Sequence, residues 1–424
     1  MNKKLFKNGN VYYQGKIQKL DILVEGERII EIAPEIGQQG TIIDIEGKLV
    51  SLGFVDLHVH LRQPGYEHKE TVATGTLAAL YGGYSHVVAM ANTNPVMDDA
   101  DTIARLENII ENEAVVHAFS YSAITKNLAG KDLVDFEANL SSKIIVGFSD
   151  DGRGVQDAEM MKEAMQEAKK YDSLIVAHCE DEAELVTGGS INLSHVSQEL
   201  DLVGINNASE SNQACRDLVM ADRIKNRYHI CHISTRETIE CLKKYHNDLI
   251  SGEVCPHHLI LCDEDVQKDN PNFKMNPPLR SKEDVAALIG ALNDGVVTCI
   301  STDHAPHSVE EKSVAIDKAP FGIIGSQHAF SLCYTYLVKK GLVKLETVLD
   351  AMSSNPARVL RLDHELQVGA KANFNVIDLD KEFTITKESI KSKSINTPFL
   401  DTKAWGLVVY NIIDGKVHNL QGEN

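Results

Sequence analysis

Short apolar runs rich in β-branched residues recur through the middle of the chain, and each stops at a polar cluster. The first run ends at His58, and the others are residues 84–90, 115–121, 144–148, 174–177, 228–231, the run into Val254, and 296–300. Helix-like spacing separates them, for example at residues 99–113, 155–171, 211–227, 235–246 and 281–294. Because strand and helix alternate eight times, the pattern predicts an α/β fold, a (β/α)8 TIM barrel.

Both ends of the chain show a different pattern, with short strand-like runs separated by Gly and Asn turns. These runs are residues 5–9, 21–24, 28–32 and 41–45 at one end, and 372–377, 404–409 and 411–417 at the other. We expect residues 1–50 and 366–424 to form one small composite β-sandwich domain beside a barrel of residues 51–365. Two separate β appendages are the alternative.

Composition limits the function classes. The chain has 424 residues, is 43% hydrophobic and carries a formal net charge of −19. It can therefore bury a large core, and its charge argues against nucleic acid and anionic membranes as partners. No apolar run is long enough to span a membrane, and no apolar segment follows the N-terminal Met-Asn-Lys-Lys. We expect a cytoplasmic protein.

The eight cysteines fall mostly within predicted strands and helices and never in Cys-x-x-Cys spacing. They are therefore expected to be reduced residues of the core. Cys179 and Cys231 each neighbour a candidate metal ligand. By strand alternation they should point to the opposite face, so neither is assigned as a ligand.

His58 and His60 lie two positions apart, so on a strand they share a face and can converge on one ion. Two histidines on a solvated strand face are the competing interpretation, because the pattern is short and common. Ligand-type residues also lie at or just past the ends of other predicted strands, namely Asp151, His178, His232 and Asp303. A barrel brings such ends together. Four imidazoles and two carboxylates suit zinc, and a bridging carboxylate suits two ions.

Several motifs resemble the amidohydrolase superfamily and, within it, the long bacterial form of the dihydroorotase family. They are residues 56–65 (DLHVHLRQPG), 92–95 (NTNP), 149–152 (SDDG), 178–180 (HCE), 232–234 (HIS), 276–280 (NPPLR), 302–307 (TDHAPH), 320–322 (PFG) and 355–357 (NPA). The His-x-His and the late aspartate are typical of the whole superfamily. The combination of Arg62, Asn92, NPPLR and the DHAPH of 303–307 is narrower and indicates dihydroorotase.

The resemblance implies one or two Zn2+ ions per chain. His58, His60 and Asp303 would hold the first, His178 and His232 the second, and Asp151 would bridge them. Many superfamily members bridge with a carboxylated lysine, but the nearest lysine here, Lys143, precedes its strand and lies at the wrong end of the barrel. The neighbouring Asp150 leaves the bridge assignment open by one residue.

The implied reaction is the reversible cyclisation of N-carbamoyl-L-aspartate to L-dihydroorotate in de novo pyrimidine biosynthesis, with Asp303 as the catalytic proton carrier. The implied substrate-binding residues are His60, Arg62, Asn92, Asn276, His307, Phe321 and Gly322. The planar guanidinium of Arg62 matches a carboxylate. Taken alone, Arg62 could instead make a surface salt bridge, and asparagines are often turn residues.

Two other functions compete with this one. Another cyclic amidohydrolase, of the hydantoinase or allantoinase type, would share the metal ligands, and a non-catalytic homologue could serve as a structural partner. The resemblance also suggests a homodimer. The loop of residues 304–325 follows Asp303 directly, and either a lid or a disordered surface loop fits its sequence.

Overall fold

Eight parallel strands form the barrel in the computed structural model, which describes residues 3–421. They are β6 (Phe54–Val59), β7 (Tyr84–Ala89), β8 (His117–Ser122), β9 (Ile145–Phe148), β10 (Leu174–Ala177), β13 (Arg227–Ile230), β14 (Ile250–Val254) and β15 (Cys299–Ile300). Every strand predicted for the barrel is present. Two short strands outside it, β11 (Ile191–Asn192) and β12 (Gly204–Ile205), pair with each other. A parallel bridge between Val59 and His304 closes the barrel, and the His60 amide donates to the His304 carbonyl at 2.8 Å.

A helix follows each barrel strand, as the apolar spacing predicts. The longer ones are α1 (Val72–Tyr81), α2 (Ala100–Glu113), α4 (Ala158–Lys170), α6 (Ala208–Ile224), α7 (Arg236–Tyr245), α9 (Lys282–Asn293) and α12 (Leu345–Met352). The shorter ones are α3 (Phe136–Leu140), α5 (His195–Glu199), α8 (Pro256–Ile260), α10 (Val309–Lys312), α11 (Ala329–Cys333) and α13 (Ser354–Leu360). Within residues 3–421, no helix combines the length and apolar character that a membrane crossing needs.

Two apolar layers hold the barrel together. The larger lies between the outer faces of the strands and the helices, and buries Tyr84, Phe148 and Tyr228. The inner layer includes Met90 and Tyr121, and residues of α13 pack against it. The polar residues that follow the barrel strands lie at their carboxyl ends, where barrel enzymes form their active sites.

Strands from both chain ends form one connected sheet. They are β1 (Lys3–Tyr13), β2 (Lys16–Glu25), β3 (Arg28–Ala33), β4 (Thr41–Asp44), β5 (Leu49–Leu52), β16 (Phe374–Thr384), β17 (Lys403–Ile413) and β18 (Lys416–Asn419). The order is β18-β17-β16-β5-β1-β2-β3, with β4 beside β1. The β5–β16 pairing joins the two ends, and the rings of Phe6 and Phe374 meet edge to face at 5.0 Å in the core of this sheet.

Two details differ from the sequence-based expectation for this region. Residues 404–409 and 411–417 do not form separate strands, because β17 runs through Tyr410 and the chain turns only at Asp414 and Gly415, both with positive φ. The expected boundary at residue 50 falls inside β5. The division into domains stays a prediction, and its residues 1–2 and 422–424 lie outside the described part of the chain.

The expectation that all eight cysteines are reduced is wrong for one pair. Cys215 of α6 and Cys241 of α7 form a disulfide, with their Cα atoms 5.6 Å apart. The spacing of 26 residues carries no disulfide signal, and only the packing of neighbouring helices brings the two thiols together. The other six cysteines are free and buried.

Candidate metal centre and substrate pocket

Six side chains meet at the carboxyl ends of the barrel strands, and we refer to them as the metal cluster: His58, His60, Asp151, His178, His232 and Asp303. All six are buried. His58 lies in β6, and each of the others lies one to three residues beyond a barrel strand. His232 and Asp303 adopt positive φ values of 31° and 47°, which turn the chain sharply where the strand alternation ends.

His58, His60 and Asp303 form one group of ligand-type atoms, all within 4.8 Å of one another. Nε2 of His60 lies 3.1 Å from Oδ1 of Asp303, and Nε2 of His58 lies 3.5 Å from the same oxygen. Buried polar atoms normally have hydrogen-bond partners, yet Nε2 of His58 has none. An ion between these atoms would satisfy it, so the donor set fits a divalent cation such as zinc.

Asp151 lies between this group and the other two histidines. Its Oδ1 is 3.4 Å from Nε2 of His58, 3.5 Å from Nδ1 of His178 and 3.7 Å from Nε2 of His232. This oxygen is buried without a hydrogen-bond partner. Nδ1 of His178 lies 2.9 Å from Nε2 of His232. One carboxylate thus faces both groups, which is the arrangement a bridging ligand needs.

The charges in the cluster stabilise one another. Burial alone would raise the pKa of Asp151, but His58, His178 and His232 hold that pKa well below its usual range. Burial would likewise raise the pKa of Asp303, and His58 and His60 lower it. Burial lowers the pKa of His60. The site therefore presents two anionic carboxylates among imidazoles, a set suited to a cation.

The structure separates the two adjacent aspartates. Asp150 turns away from the cluster, and its Oδ1 accepts hydrogen bonds from the amides of Ile124 at 2.7 Å and Thr125 at 3.0 Å. Asp151, by contrast, faces the histidines. Lys143 is exposed on the surface beside Glu111, so it cannot reach the cluster. Of the residues considered for the bridge, only Asp151 has a suitable position.

Glu253 is a buried residue of β14 that the sequence analysis missed. Its Oε1 accepts from Nδ1 of His58 at 2.9 Å, and its Oε2 accepts from Nε2 of His229 at 3.1 Å. The bond to Nδ1 leaves Nε2 of His58 as the nitrogen that faces Asp151 and Asp303. Carboxylates commonly orient metal-binding histidines in this way. A single charge inside an apolar strand was the sequence signal that could have identified it.

The prediction that Cys231 points to the strand face opposite the ligand-type residues is wrong. Its Sγ lies within 4.8 Å of ligand-type atoms of His58 and Glu253, and all three residues are buried. The side chain also packs with Met90 and Tyr121 of the inner layer. Strand alternation ends at His232, whose positive φ allows consecutive residues to face the barrel interior. Burial raises the pKa of the Cys231 thiol, so it remains neutral beneath the cluster.

Arg62 and His307 lie side by side next to the cluster. Nε of Arg62 donates to the Pro306 carbonyl at 3.1 Å, and its Nη2 lies 3.4 Å from Nε2 of His307. Arg62 is half-buried, yet it makes no salt bridge with any carboxylate of residues 3–421. The surface salt bridge considered for Arg62 is therefore absent from the described structure. A half-buried guanidinium without a carboxylate partner suits an anionic ligand.

Three basic side chains lie near His307, and Oε2 of Glu311 lies 3.4 Å from its Nδ1. Burial, together with Arg62, Lys69 and Lys312, lowers the pKa of His307 to about 3. The ring is thus neutral near pH 7, and its Nε2 donates to the Phe321 carbonyl at 2.8 Å. Nζ of Lys69 lies 3.4 Å from its Nδ1 and pairs with Glu311 at 3.0 Å. We call Arg62, Lys69 and His307 the basic pocket.

The two predicted asparagines contact the metal cluster and its neighbours. Oδ1 of Asn92 accepts from Nδ1 of His60 at 3.0 Å, and its Nδ2 donates to Oδ2 of Asp151 at 3.3 Å. Nδ2 of Asn276 donates to Oε1 of Glu180 at 2.8 Å, and Oε2 of Glu180 lies 3.6 Å from Nε2 of His178. Both side chains lie within the candidate site.

Phe321 and Gly322 lie on the loop of residues 304–325, opposite His307. Gly322 has a φ of 123°, and a Cβ atom there would lie 2.6 Å from Cβ of Ala305. Only glycine fits such a close approach of two segments. The loop is paired at its base through a bridge between His304 and Ile323, and it carries the short helix α10.

Family models and curated proteins match this chain in sequence. A family model described as Dihydro-orotase-like matches residues 47–238, and one described as Amidohydrolase family matches residues 255–418. The dihydroorotase of Staphylococcus aureus strain Mu50 is 44% identical over 419 residues, which cover 98% of each chain. The dihydroorotase of Staphylococcus epidermidis strain ATCC 12228 is 43% identical over 420 residues, again 98% of each.

Solved structures share the architecture at lower identity. The L-hydantoinase (dihydropyrimidinase) of Arthrobacter aurescens aligns with a TM-score of 0.88 and 22% identity, over 100% of this chain and 97% of that one. The dihydropyrimidinase of Brevibacillus agri NCHU1002 aligns with a TM-score of 0.84 and 20% identity, over 98% and 94%. At such identities the match supports the fold, a barrel with a β-rich unit, and carries no argument about substrate.

Proposed function

The chain belongs to the dihydroorotase family, a branch of the amidohydrolases, and on that premise we propose that it catalyses the reversible cyclisation of N-carbamoyl-L-aspartate to L-dihydroorotate. The enzyme class is a hydrolase that acts on cyclic amides. The proposed metal is zinc, and the proposed role is a step of de novo pyrimidine biosynthesis. A cytoplasmic location and a homodimer are further predictions of the resemblance, and sedimentation of the purified protein would test the second.

One observation carries the proposal beyond the family name. Arg62 is half-buried beside the metal cluster without a carboxylate partner among residues 3–421, although the whole chain carries 61 acidic and 42 basic residues. Dihydroorotate has one carboxylate and carbamoyl-aspartate has two. A fixed guanidinium fork next to a metal centre is the group that would orient such a substrate. A hydantoin without a carboxylate would leave Arg62 unpaired.

We assign the ligands from the donor set of the cluster. His58, His60 and Asp303 would hold one ion, His178 and His232 a second, and Asp151 would bridge. Zinc, when bound, would lower the pKa of water towards about 7 and polarise the ring carbonyl. Asn92, which is hydrogen-bonded to both His60 and Asp151, would fix the orientation of these two ligands relative to each other.

The chain's own residues would bind the substrate and move the proton. Arg62 would take the substrate carboxylate, with His307, Asn276 and the backbone of Phe321 and Gly322 around the ring. In ring opening, a carboxylate oxygen of Asp303 would accept the proton of the attacking water and pass it to the nitrogen that leaves the carbonyl carbon. In ring closure the same carboxylate would accept the proton of the attacking nitrogen and pass it to the departing carboxyl oxygen. With one further proton taken up from solvent, that oxygen leaves as water as the carbon–nitrogen bond forms and the carbon–oxygen bond breaks.

The direct test is an assay of the zinc-loaded protein with dihydroorotate, carbamoyl-aspartate, hydantoin and allantoin. We expect turnover of the first two, in opposite directions, and little of the others. Faster turnover of hydantoin or allantoin would assign the chain to the competing cyclic amidohydrolases. No turnover of any of the four, with metal bound, would support a non-catalytic homologue.

The same assay has a predicted pH dependence. Ring opening creates a second carboxylate and releases one proton at neutral pH, so the equilibrium ratio of open to closed forms should rise about tenfold per pH unit. The rate of opening should rise with pH while that of closure falls. A joint rise of both rates from pH 6 to 9 would contradict the shared proton carrier.

A further inference from the structure

The connection between β16 and β17 leaves the terminal sheet and reaches the substrate pocket of the barrel. Its residues 391–396 lie against the loop that follows β6, where the Lys393 amide donates to Glu70 at 3.1 Å and Oγ of Ser394 donates to the Lys69 carbonyl at 2.7 Å. The Lys391 amide donates to Oε1 of Gln327 at 2.7 Å. These bonds fix the segment on the barrel, and we call residues 391–396 the crossing segment.

Asn396 ends the crossing segment with its amide directed at the pocket loop, residues 304–325. Its Oδ1 accepts from the His307 amide at 3.1 Å. Its Nδ2 donates to the carbonyls of Ala305 at 3.0 Å and Gly322 at 3.1 Å. Its own carbonyl accepts from the Ile324 amide at 3.0 Å. Asn396 is only 3% exposed.

These four bonds join the two arms of the pocket loop. One arm, residues 305–307, carries His307 and the Pro306 carbonyl that accepts from Arg62. The other arm, residues 321–324, carries the Phe321 carbonyl that accepts from His307. A side-chain amide that donates to both arms and accepts from one of them, as here, sets their separation.

We propose that Asn396 is a positioning residue that sets the geometry of the basic pocket, so that the β16–β17 connection forms part of substrate recognition. This inference rests on the proposed function for its substrate. The crossing segment holds His307 and Arg62 in register with the metal cluster, and it does so before substrate arrives. Preorganised donors lower the cost of binding an anion.

The chain offers a matched control for substitution. Asn411 is also a buried asparagine, and its Nδ2 likewise donates to two carbonyls, those of Leu80 and Tyr84, each at 3.0 Å. These partners lie where the terminal sheet meets the barrel, away from the pocket loop. Asn396→Asp and Asn411→Asp therefore remove the same kind of donor pair at two different places. Asn396→Ser is a milder third variant, because its hydroxyl introduces no charge.

Steady-state kinetics of the zinc-loaded variants tests the proposal. We expect both Asn396 variants to raise KM for carbamoyl-aspartate about tenfold or more, the loss expected for one or two hydrogen bonds. We expect kcat within about threefold of wild type and unchanged metal content, since the metal cluster is untouched. Asn411→Asp should lower the melting temperature and leave KM unchanged. An unchanged KM in Asn396→Ser, or an equal rise in Asn411→Asp, would overturn the proposal.

Amide hydrogen exchange of the metal-loaded protein without substrate provides a readout independent of activity. Both Asn396 variants lose the two Nδ2 donations that hold the arms, so both arms should open more often. The amides of His307 and Ile324 should therefore exchange faster in these variants and at the wild-type rate in Asn411→Asp. Unchanged exchange at both amides, or failure of both Asn396 variants to fold, would overturn the positioning role. Inactivity of the wild type on carbamoyl-aspartate, with the expected exchange pattern, would instead refute the proposed substrate alone.

Discussion

The metal cluster and the basic pocket are adjacent, but the fold builds them differently. The cluster residues lie in or just beyond five barrel strands, and their positions follow from the hydrogen-bonded sheet. The basic pocket lies on loops. Its residues are held by the Pro306 carbonyl, which accepts from Arg62, by the Phe321 carbonyl, which accepts from His307, and by Oδ1 of Asn396, which accepts from the His307 amide. The strands therefore fix the proposed metal ligands, while loop contacts fix the groups assigned to the substrate carboxylate.

This difference predicts two kinds of mutational effect. Changes in the metal cluster should reduce metal content or kcat, because the ligands have no substitute. Changes in the basic pocket should act mainly on KM, because they alter an anion site without disturbing the barrel. A cluster variant that changed only KM, or a pocket variant that lost metal, would show that the two regions do not act separately.

The largest expected effect is that of Asp303→Asn. Removal of the proposed proton carrier should lower kcat by about 1000-fold, within the range typical of general acid–base catalysis. The fold should remain, because the residue lies past the end of β15. Stopped assays in both directions, with metal content measured on the same sample, check this. Rates near wild type with full metal would exclude Asp303 from proton transfer.

The adjacent aspartates provide a sharper comparison. Asp151→Asn should lose most of the bound metal, because its carboxylate faces both ligand groups. Asp150→Asn should keep the metal and lose about 1–3 kcal/mol of stability, because an amide NH2 replaces the buried oxygen that accepts from the Thr125 hydroxyl. Elemental analysis and thermal melts of the two proteins separate the outcomes. The reverse result would move the bridge to Asp150.

Glu253→Gln should have an intermediate effect on the metal cluster. The amide would no longer accept from both His58 and His229, so His58 would lose its fixed orientation. Metal affinity should fall by about 10- to 100-fold, as is usual for such supporting carboxylates. A competition titration with a chelating dye measures it. Wild-type affinity would show that the barrel alone orients His58.

Arg62→Lys should have a smaller effect, confined to the basic pocket. An ammonium cannot reproduce the planar fork, so KM for carbamoyl-aspartate should rise well over tenfold, with metal content unchanged. Kinetics over a wide substrate range checks this. An unchanged KM would place Arg62 outside the substrate site.

The metal cluster could be predicted from sequence because its geometry depends on strand ends. Polar residues after apolar runs identified His178, His232 and Asp303, and the barrel rule placed them together. The choice between Asp150 and Asp151 could not be made, because it depends on which carboxylate the Ile124 and Thr125 amides engage. Alternation failed at Cys231, since a positive φ at His232 changes the facing of the chain.

The hydrogen bonds that support the cluster and the pocket could not be predicted from the sequence, for a different reason. Glu253 and Asn396 act through partners nearly 200 and about 90 residues away, and no local spacing connects them. The Cys215–Cys241 disulfide depends on the packing of α6 against α7. The sequence thus indicated which strand ends bring ligand-type residues together, but not the long-range hydrogen bonds that orient them.

Metal removal and reconstitution tests the central claim most directly. The protein stripped by a chelator should lose turnover in both directions, and stoichiometric Zn2+ should restore both in wild type and, at high substrate concentration, in Arg62→Lys. Zn2+ should restore neither direction in Asp303→Asn. Full activity of the stripped wild-type protein, or restoration of only one direction by Zn2+, would contradict the assignment of one metal cluster to both halves of a reversible ring closure.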